Sequence, residues 1–513
     1  MPDYMFMLES RLSAEQRAAV MRIQELAAST ESNVYLSGGA VRDLISGMPI
    51  RDLDFIVEGQ PGRIARELEK GGARIVSEND SLRSIELILS GDVDASLSAA
   101  RDEVYSRPGT RPEFRFSTIM EDLRRRDFSL NAIAISLNPN SRGLLLDPTN
   151  GLADLERQEI RALSIHSFTN QPVRLLRALR YAARMGFKME SRTADWFELA
   201  MERGLQNSIP PAAAGHELRH LAREEKPAAI LKAWESRGLL DAVHPQLARR
   251  HPDYNAIQRI IKVRDDLTAA GFRPRLFAPM TIAILGRLKQ RERTSIFSRL
   301  EYRAAEIDAI THFEDSAQKL SKLLAGRKTA APRDAYALLD KTPLDLLSYI
   351  LAEGTNSKVL GKIRSFFFKW KPLRQALPAV AVELEALGLA RGPKFDKVLE
   401  DFFQAQLLGK ARKPEDHIKV LRRLSGIKEQ PKKEEKKKPE KPSKKKSEPD
   451  AKAAKAAPHA PSEPVAAPAP AKSVKTAAAA HAKPGKPSPH SAQRAKHAAA
   501  LASRGKSNRA RKK

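Results

Sequence analysis

The chain has 513 residues, enough for several domains that each bury their own core. It contains no cysteine, which excludes disulfides and thiolate metal sites and suits a reducing compartment. The formal charge of +28 points to a polyanionic partner, because clustered Lys and Arg gain affinity by releasing counterions from phosphates. The excess is concentrated from Lys428 onward, where 24 Lys and Arg face 7 Asp and Glu, and the rest of the chain is basic as well. No unbroken apolar run of about 18 residues occurs, and MPDYMFMLES lacks the basic-then-apolar layout of a signal peptide. The expectation is a soluble, cytoplasmic protein.

In chain order, SAEQ at Ser13 to Gln16 reads as a capping box that opens a helix running to about Ala28. NVYLS is a strand, Gly38 and Gly39 turn the chain, and a short helix runs from about Ala40 to Ser46, ended by Gly47 and Pro49. DLDFIV is the next strand, RIARELEKGG the next helix, and RIVSEN, SIELILS and the stretch from Asp92 to Leu97 are further strands. This alternation makes an α/β domain over residues 31–145, preceded by an N-terminal helix within 1–30. After DPTNGLADLE, apolar residues recur at helical spacing to about Ile427 with few strand signals, an all-helical region. Residues 428–513 are Lys, Ala, Pro, Ser and Glu-rich without Phe, Trp or Tyr, so they cannot bury enough apolar surface to offset chain entropy and are expected to be disordered.

The stretch SGGAVRDLISGMPIRDLDFIVEG, residues 37–59, joins two devices. Alternation along a strand puts Asp52 and Asp54 on one side, and adjacent carboxylates suit a divalent ion such as magnesium, which takes oxygen ligands together with substrate phosphates. Gly38 and Gly39 let backbone N–H groups come close to a triphosphate, at the start of a helix whose Arg42 can cap the same charge. Either device alone is more often a solvated strand edge or a plain turn; their order strand, turn, helix, strand favours function. No P-loop, no G-x-G-x-x-G after a strand and no HD pair is present.

At these residues the chain resembles the class II tRNA nucleotidyltransferase (CCA-adding enzyme) and bacterial poly(A) polymerase family, whose head carries G-G-x-V-R-D followed by D-x-D. EDLRRRDFSLNAIAISL, DPTNGLADLE and RLLRALRYAARMGF are similar to further family segments in the family's order, over roughly residues 33–190. The resemblance implies an α/β nucleotidyltransferase (polymerase-β-like) head, a helical neck at 146–210 that binds nucleotide and RNA, and a helical body and tail at 211–427 that binds RNA. It implies Asp52 and Asp54 as the catalytic, magnesium-binding pair. Gly38, Gly39 and Arg42 would hold the triphosphate, and Arg126, Asp127 and Asn131 would lie near its ribose and phosphates. The expected partners are ATP, CTP or both, and the 3′ end of tRNA or another RNA, with the basic C-terminal segment on RNA phosphates.

The bland alternative for RRRD is a solvated basic helix start. Arg174, Arg177, Arg180 and Arg184 form a stripe on one helix face, opposite Leu175, Leu176, Leu179 and Ala183. Four arginines without an interleaved acid favour contact with RNA or nucleotide phosphates.

The chain departs from the family in two places. The acidic pair that reads the base, roughly E-D-x-x-R, is here Asn170, Gln171, Pro172, Val173, Arg174. An amide donates as well as accepts, which predicts weaker discrimination against UTP. A third metal-side carboxylate, five residues before Arg101, is Ser96; Asp94 lies two residues earlier on the same face. The absence of a G-R-R-F-R run after the D-x-D strand favours the tRNA enzyme over poly(A) polymerase. A noncatalytic RNA-binding relative is the reading of another class, favoured by Ser96 and Gln171 and opposed by the retained Asp52, Asp54, Arg126 and Asp127.

Overall fold

The computed structural model describes residues 3–107, 110, 112–411 and 413–427; the expectation for residues 428–513 lies outside the described residues. Two helices lead in, α1 (Tyr4–Arg11) and α2 (Ala14–Ser29), the second opened by the expected Ser13–Gln16 capping box. The head then runs β1 (Asn33–Ser37), α3 (Gly39–Ile45), β2 (Leu53–Glu58), α4 (Gly62–Lys70), β3 (Arg74–Asn79), β4 (Ser84–Leu89) and β5 (Val93–Ala99). It continues through β6 (Arg101–Val104), β7 (Glu113–Phe116), α5 (Ile119–Arg124), β8 (Ala134–Ser136) and β9 (Leu145–Leu146).

Seven strands form one sheet in the order β3-β4-β5-β2-β1-β8-β9, with β2 parallel to β5 and antiparallel to β1, while β6 and β7 pair as a separate two-stranded ribbon. Period-two alternation explains the layering. Leu36, Phe55, Val57, Leu97, Ile85 and Leu87 point to one face and are buried with Val20 and Ile23 of α2, Val41 and Leu44 of α3, and Ile64 and Leu68 of α4. Each such side chain contributes about 1.5–3 kcal/mol. On the other face Tyr35, Ile56 and Ala134 are covered by Ile119 and Leu123 of α5. Beside that cover, Ser37 pairs with Asp54, Asp54 with Ser96, and Ser96 with Glu86, so a polar row crosses β1, β2, β5 and β4.

Helices dominate after the head, as expected: α6 (Gly151–Arg157), α7 (Ser167–Asn170), α8 (Arg174–Met185), α9 (Ser191–Glu202) and α10 (Pro211–Ala222), then further helices to Ser425. Strand structure is confined there to a parallel pair of two-residue strands, β10 (Glu159–Ile160) and β11 (Lys188–Met189), among the described residues. The chain beyond α10 packs around apolar centres that include Leu339, Ile363 and Phe367, and farther on Phe402, Leu384 and Leu421.

The DPTNGLADLE segment is a structural lock. Asp147 accepts from the N–H groups of Gly151 and Leu152 at 2.7 and 2.9 Å, and buried Asp154 accepts from the Ser129 hydroxyl at 2.5 Å. A Cβ on Gly151 would stand 2.2 Å from the Ser129 carbonyl oxygen. We expect Gly151→Ala to cost about 1–3 kcal/mol by forced displacement of backbone, read as a lower thermal midpoint.

Candidate active site

The turn between β1 and α3 is where the two devices meet. Gly38 sits at φ +64°, ψ −127°, a conformation that disfavours side chains. A Cβ built on Gly38 or on Gly39 would lie 3.6 Å from Asp54 Oδ2, so that carboxylate stands directly beneath the glycine turn. The other oxygen, Oδ1, accepts from the Ser96 hydroxyl at 2.8 Å across the β2–β5 register. Asp52 immediately precedes β2. Burial first, and the negative charge of Asp52 second, push the Asp54 carboxyl up to about 6, against the Ser96 hydrogen bond and the charges of Arg126 and Arg42. Desolvation sets most of that shift and the like charge of Asp52 adds to it. A divalent cation relieves the repulsion, and the all-oxygen donor set suits a hard one. Among the described residues no group of three or more His, Asp or Glu side chains is arranged to hold a metal ion.

The RRD segment packs against this turn. RRRD closes helix α5 rather than opening one, because Thr118 and Glu121 form the capping box at the start and Arg124 ends it. Arg124 is exposed, whereas Arg125 and Arg126 are largely covered: Arg126 donates to the Asn131 carbonyl at 2.8 Å, to the Ser37 hydroxyl at 3.2 Å and to Asp122. A Cβ on Gly38 would lie 3.2 Å from Arg126 Nη1, so this guanidinium borders the glycine turn as well.

Arg42 is buried, and its donors are engaged within the protein. It gives Nη1 to Asn131 Oδ1 at 2.7 Å and Nε to Asp43 Oδ1 at 2.9 Å. From there a closed circuit of hydrogen bonds and ion pairs joins the head to α8 and α10. Asn131 Nδ2 donates to Asp127 Oδ1 (3.0 Å), and Arg177 Nη1 to Asp127 Oδ2 (2.9 Å). Arg177 Nε and Arg180 Nε share the two oxygens of Glu217, both at 2.9 Å. Arg180 Nη1 reaches Glu224 at 3.0 Å, Arg184 Nε lies 3.7 Å from Glu224, and Arg184 Nη2 closes the circuit on Asp43 at 2.6 Å. The arginine stripe therefore differs from its expected role of meeting phosphates. It meets the carboxylates of Asp127, Glu217, Glu224 and Asp43, supplied by elements remote in sequence. Although burial opposes it, Arg180 and Arg177 hold Glu217 down at about 2.

Gln171 and Arg174 are brought together at the start of α8. Arg174 Nε donates to Gln171 Oε1 at 3.1 Å and its Nη1 to the Ser167 hydroxyl at 2.8 Å. Gln171 Nε2 faces the other way, toward the Tyr105 hydroxyl and Glu103 Oε2. Donors on one side and acceptors on the other fix the amide's orientation. Glu103 is held ionised, against burial, by Arg125 and Arg101.

Asp52, Asp54, Gly38, Gly39, Arg126 and Arg42 thus surround one turn, Asp127, Asn131 and Arg177 adjoin them through Arg42, and Gln171 and Arg174 form a second locus on α7 and α8. Missed from the sequence were Glu217, Glu224, Asp43 and Glu103. Only Asp43, within G-G-x-V-R-D, carried a local signal.

Residues 34–161 match the family described as the Poly A polymerase head domain. The match falls on the segment whose motifs resemble the class II tRNA nucleotidyltransferase and bacterial poly(A) polymerase family. Over 401 residues, 77% of this chain and 45% of the relative, the chain is 26% identical to the A-adding tRNA nucleotidyltransferase of Geobacter sulfurreducens. It is 33% identical to the A-adding tRNA nucleotidyltransferase of Halalkalibacterium halodurans over 45% of this chain and 54% of that protein. For the CC-adding tRNA nucleotidyltransferase of Deinococcus radiodurans the figures are 36%, 42% and 57%. The chain spans about half the length of the curated relatives it matches. Among solved structures it is similar to a Thermotoga maritima CCA-adding enzyme complexed with tRNA, at 24% identity and a TM-score of 0.42, covering 83% of this chain and 98% of that one. No helix among the described residues is long and apolar enough to cross a membrane.

Proposed function

We propose that this protein is an RNA nucleotidyltransferase that adds C, A or both from nucleoside triphosphates to the 3′ end of tRNA and releases pyrophosphate. The observation that carries the reading is the position of Asp54 Oδ2 beneath the Gly38–Gly39 turn, with Asp52 beside it. The named activities of the A-adding and CC-adding relatives support the choice of tRNA and of ATP and CTP. Asp52 and Asp54 would hold magnesium, which when bound supplies charge neutralisation on the leaving diphosphate and lowers the pKa of the attacking hydroxyl. The N–H groups of the glycine turn and Arg126 orient the triphosphate, and the Arg42–Asn131–Asp127–Arg177 chain keeps that turn in register with α8. We assign residues 31–145 to nucleotide transfer, 146–210 to nucleotide and RNA positioning, and 211–427 to RNA binding.

The test is incubation with magnesium, each labelled nucleotide in turn, and tRNAs ending before CCA, after C and after CC. Transfer to one or more of these ends is expected, and a homopolymer of A on unrelated RNA would instead identify a poly(A) polymerase. Absence of transfer from every nucleotide, with RNA binding intact, would leave the noncatalytic reading.

Gln171 gives this reading a chain-specific consequence. Its amide presents both donor and acceptor character where a carboxylate only accepts, so UTP is expected to compete with CTP more effectively. Gln171→Asp should raise the ratio of kcat/KM for CTP over UTP about tenfold, the scale of one discriminating bidentate contact. Because the new carboxylate would face Glu103, the variant is best compared in a Glu103→Gln background too. An unchanged ratio in both backgrounds would remove Gln171 from base selection.

A further inference from the structure

The β6–β7 ribbon carries an aromatic surface that neither the core nor the proposed chemistry uses. Phe114 stands opposite Glu103 and Phe116 opposite Arg101, so the two rings share the ribbon face that bears Arg101 and Glu103. Their centroids are 4.9 Å apart with planes at 87°, and Phe116 is 50% exposed. The ribbon is fastened by polar contacts: Arg101 and Arg125 on Glu103 at 2.8 and 3.0 Å, and Arg101 Nη1 on the Leu82 carbonyl at 3.0 Å. Its root therefore lies beside the β3–β4 turn.

We infer that this face is a stacking platform for the unpaired 3′-terminal base of the acceptor RNA, with Phe116 as the principal contact; the inference rests on the nucleotidyltransferase reading of the neighbouring site. Two arguments fix the occupant. The sheet order β4-β5-β2-β1 puts Asp54 between the glycine turn on the β1 side and the ribbon root on the β4 side. A triphosphate against the glycine turn leaves the opposite side for the RNA end, whose hydroxyl must reach the same acids. Two exposed arginines flank the ribbon, Arg115 on its opposite face at 65% and Arg83 next to Leu82 at its root at 47% side-chain exposure, each 3.8 Å from an acid (Glu113 and Asp80), which leaves cationic groups on hand for a phosphate backbone beside a stacked base. An aromatic face accepts any base, so the platform would hold successive RNA ends that differ in sequence.

The test uses an RNA hairpin with unpaired 3′ nucleotides, 2-aminopurine at the last position, and the full-length protein. Binding of the parent should quench the fluorophore. Phe116→Ala should abolish most of the quenching and weaken binding about tenfold, Phe116→Trp should restore both, and Phe114→Ala should have a smaller effect in the same direction. A blunt hairpin should bind parent and Phe116→Ala alike, and affinity for ATP and CTP should not change. Quenching unchanged in Phe116→Ala, or an equal loss for the blunt hairpin, would overturn the platform. Neither readout needs catalysis: a parent that binds and quenches but transfers no label sinks the enzymatic reading alone, whereas a Phe116→Ala variant with parental quenching and affinity for the hairpin with unpaired 3′ nucleotides sinks the platform alone.

Discussion

Asp54→Ala is expected to reduce label transfer by about a thousandfold or more, the scale at which phosphoryl-transfer sites lose a charge-stabilising group, and Asp52→Ala should do the same. Both carboxylates are proposed to hold the same bound cation, so the double variant should be little worse than either single one. A loss confined to KM for RNA would assign the acids to binding instead. Asp54→Asn separates the acid's chemistry from its effect on folding. The folded carboxyl is pushed up to about 6 by burial and then by Asp52. A carboxyl raised in this way binds a proton more tightly folded than unfolded, so its contribution to stability is full at acid pH and is lost as pH rises through 6. The neutral amide should therefore raise the thermal midpoint of the metal-free protein at pH 7.5, and the gain should shrink as pH falls through 6. Added divalent cation should stabilise the parent and leave Asp54→Asn nearly unchanged.

Glu217→Ala should produce the second large effect, although this residue need not touch any substrate. Removal leaves Arg177 and Arg180 without the carboxylate they share, and breaking such a buried pair costs about 3–5 kcal/mol. The thermal midpoint should fall accordingly. Because Arg177 also anchors Asp127, and through it Asn131 and Arg42, KM for the nucleotide should rise in Glu217→Gln, which keeps the shape and one set of hydrogen bonds, even where the fold survives. In the parent, Glu217 is depressed to about 2 by Arg180 and Arg177 against burial. Its stabilisation is present above the unfolded carboxyl value and lost as pH falls toward 2, so Glu217→Gln should flatten acid unfolding in that window. A Glu217→Gln protein with parental nucleotide KM would confine the circuit to stability.

What was legible in the chain is what local pattern encodes. The strand, glycine turn, helix, strand order at 33–58 is written in alternation and in residues that demand a turn, and the structure places those elements within a residue or two of the reading. The ribbon of β6 and β7 was not legible, since neither four-residue strand has a fully buried apolar side chain and the covered face of β6 is made by the charged Arg101 and Glu103. Strands β8 and β9 are shorter still and are set by pairing with β1 and with each other. The arginine stripe on α8 was visible but its partners were not: Glu217 and Glu224 lie some forty residues downstream, and Asp43 far upstream. A charge stripe read on one helix says which face is cationic, while only tertiary packing says what neutralises it. The same limit hid Glu103, whose contact with Gln171 spans the ribbon and α7.

The most direct measurement is crystallographic: the protein with manganese and a non-hydrolysable ATP or CTP analogue, with data collected to reveal the metal's anomalous signal. The account predicts an anomalous peak coordinated by both Asp52 and Asp54, with the triphosphate running along the N–H groups of Gly38 and Gly39. A nucleotide bound elsewhere, or density on the glycine turn with no metal on those two carboxylates at millimolar manganese, would contradict it.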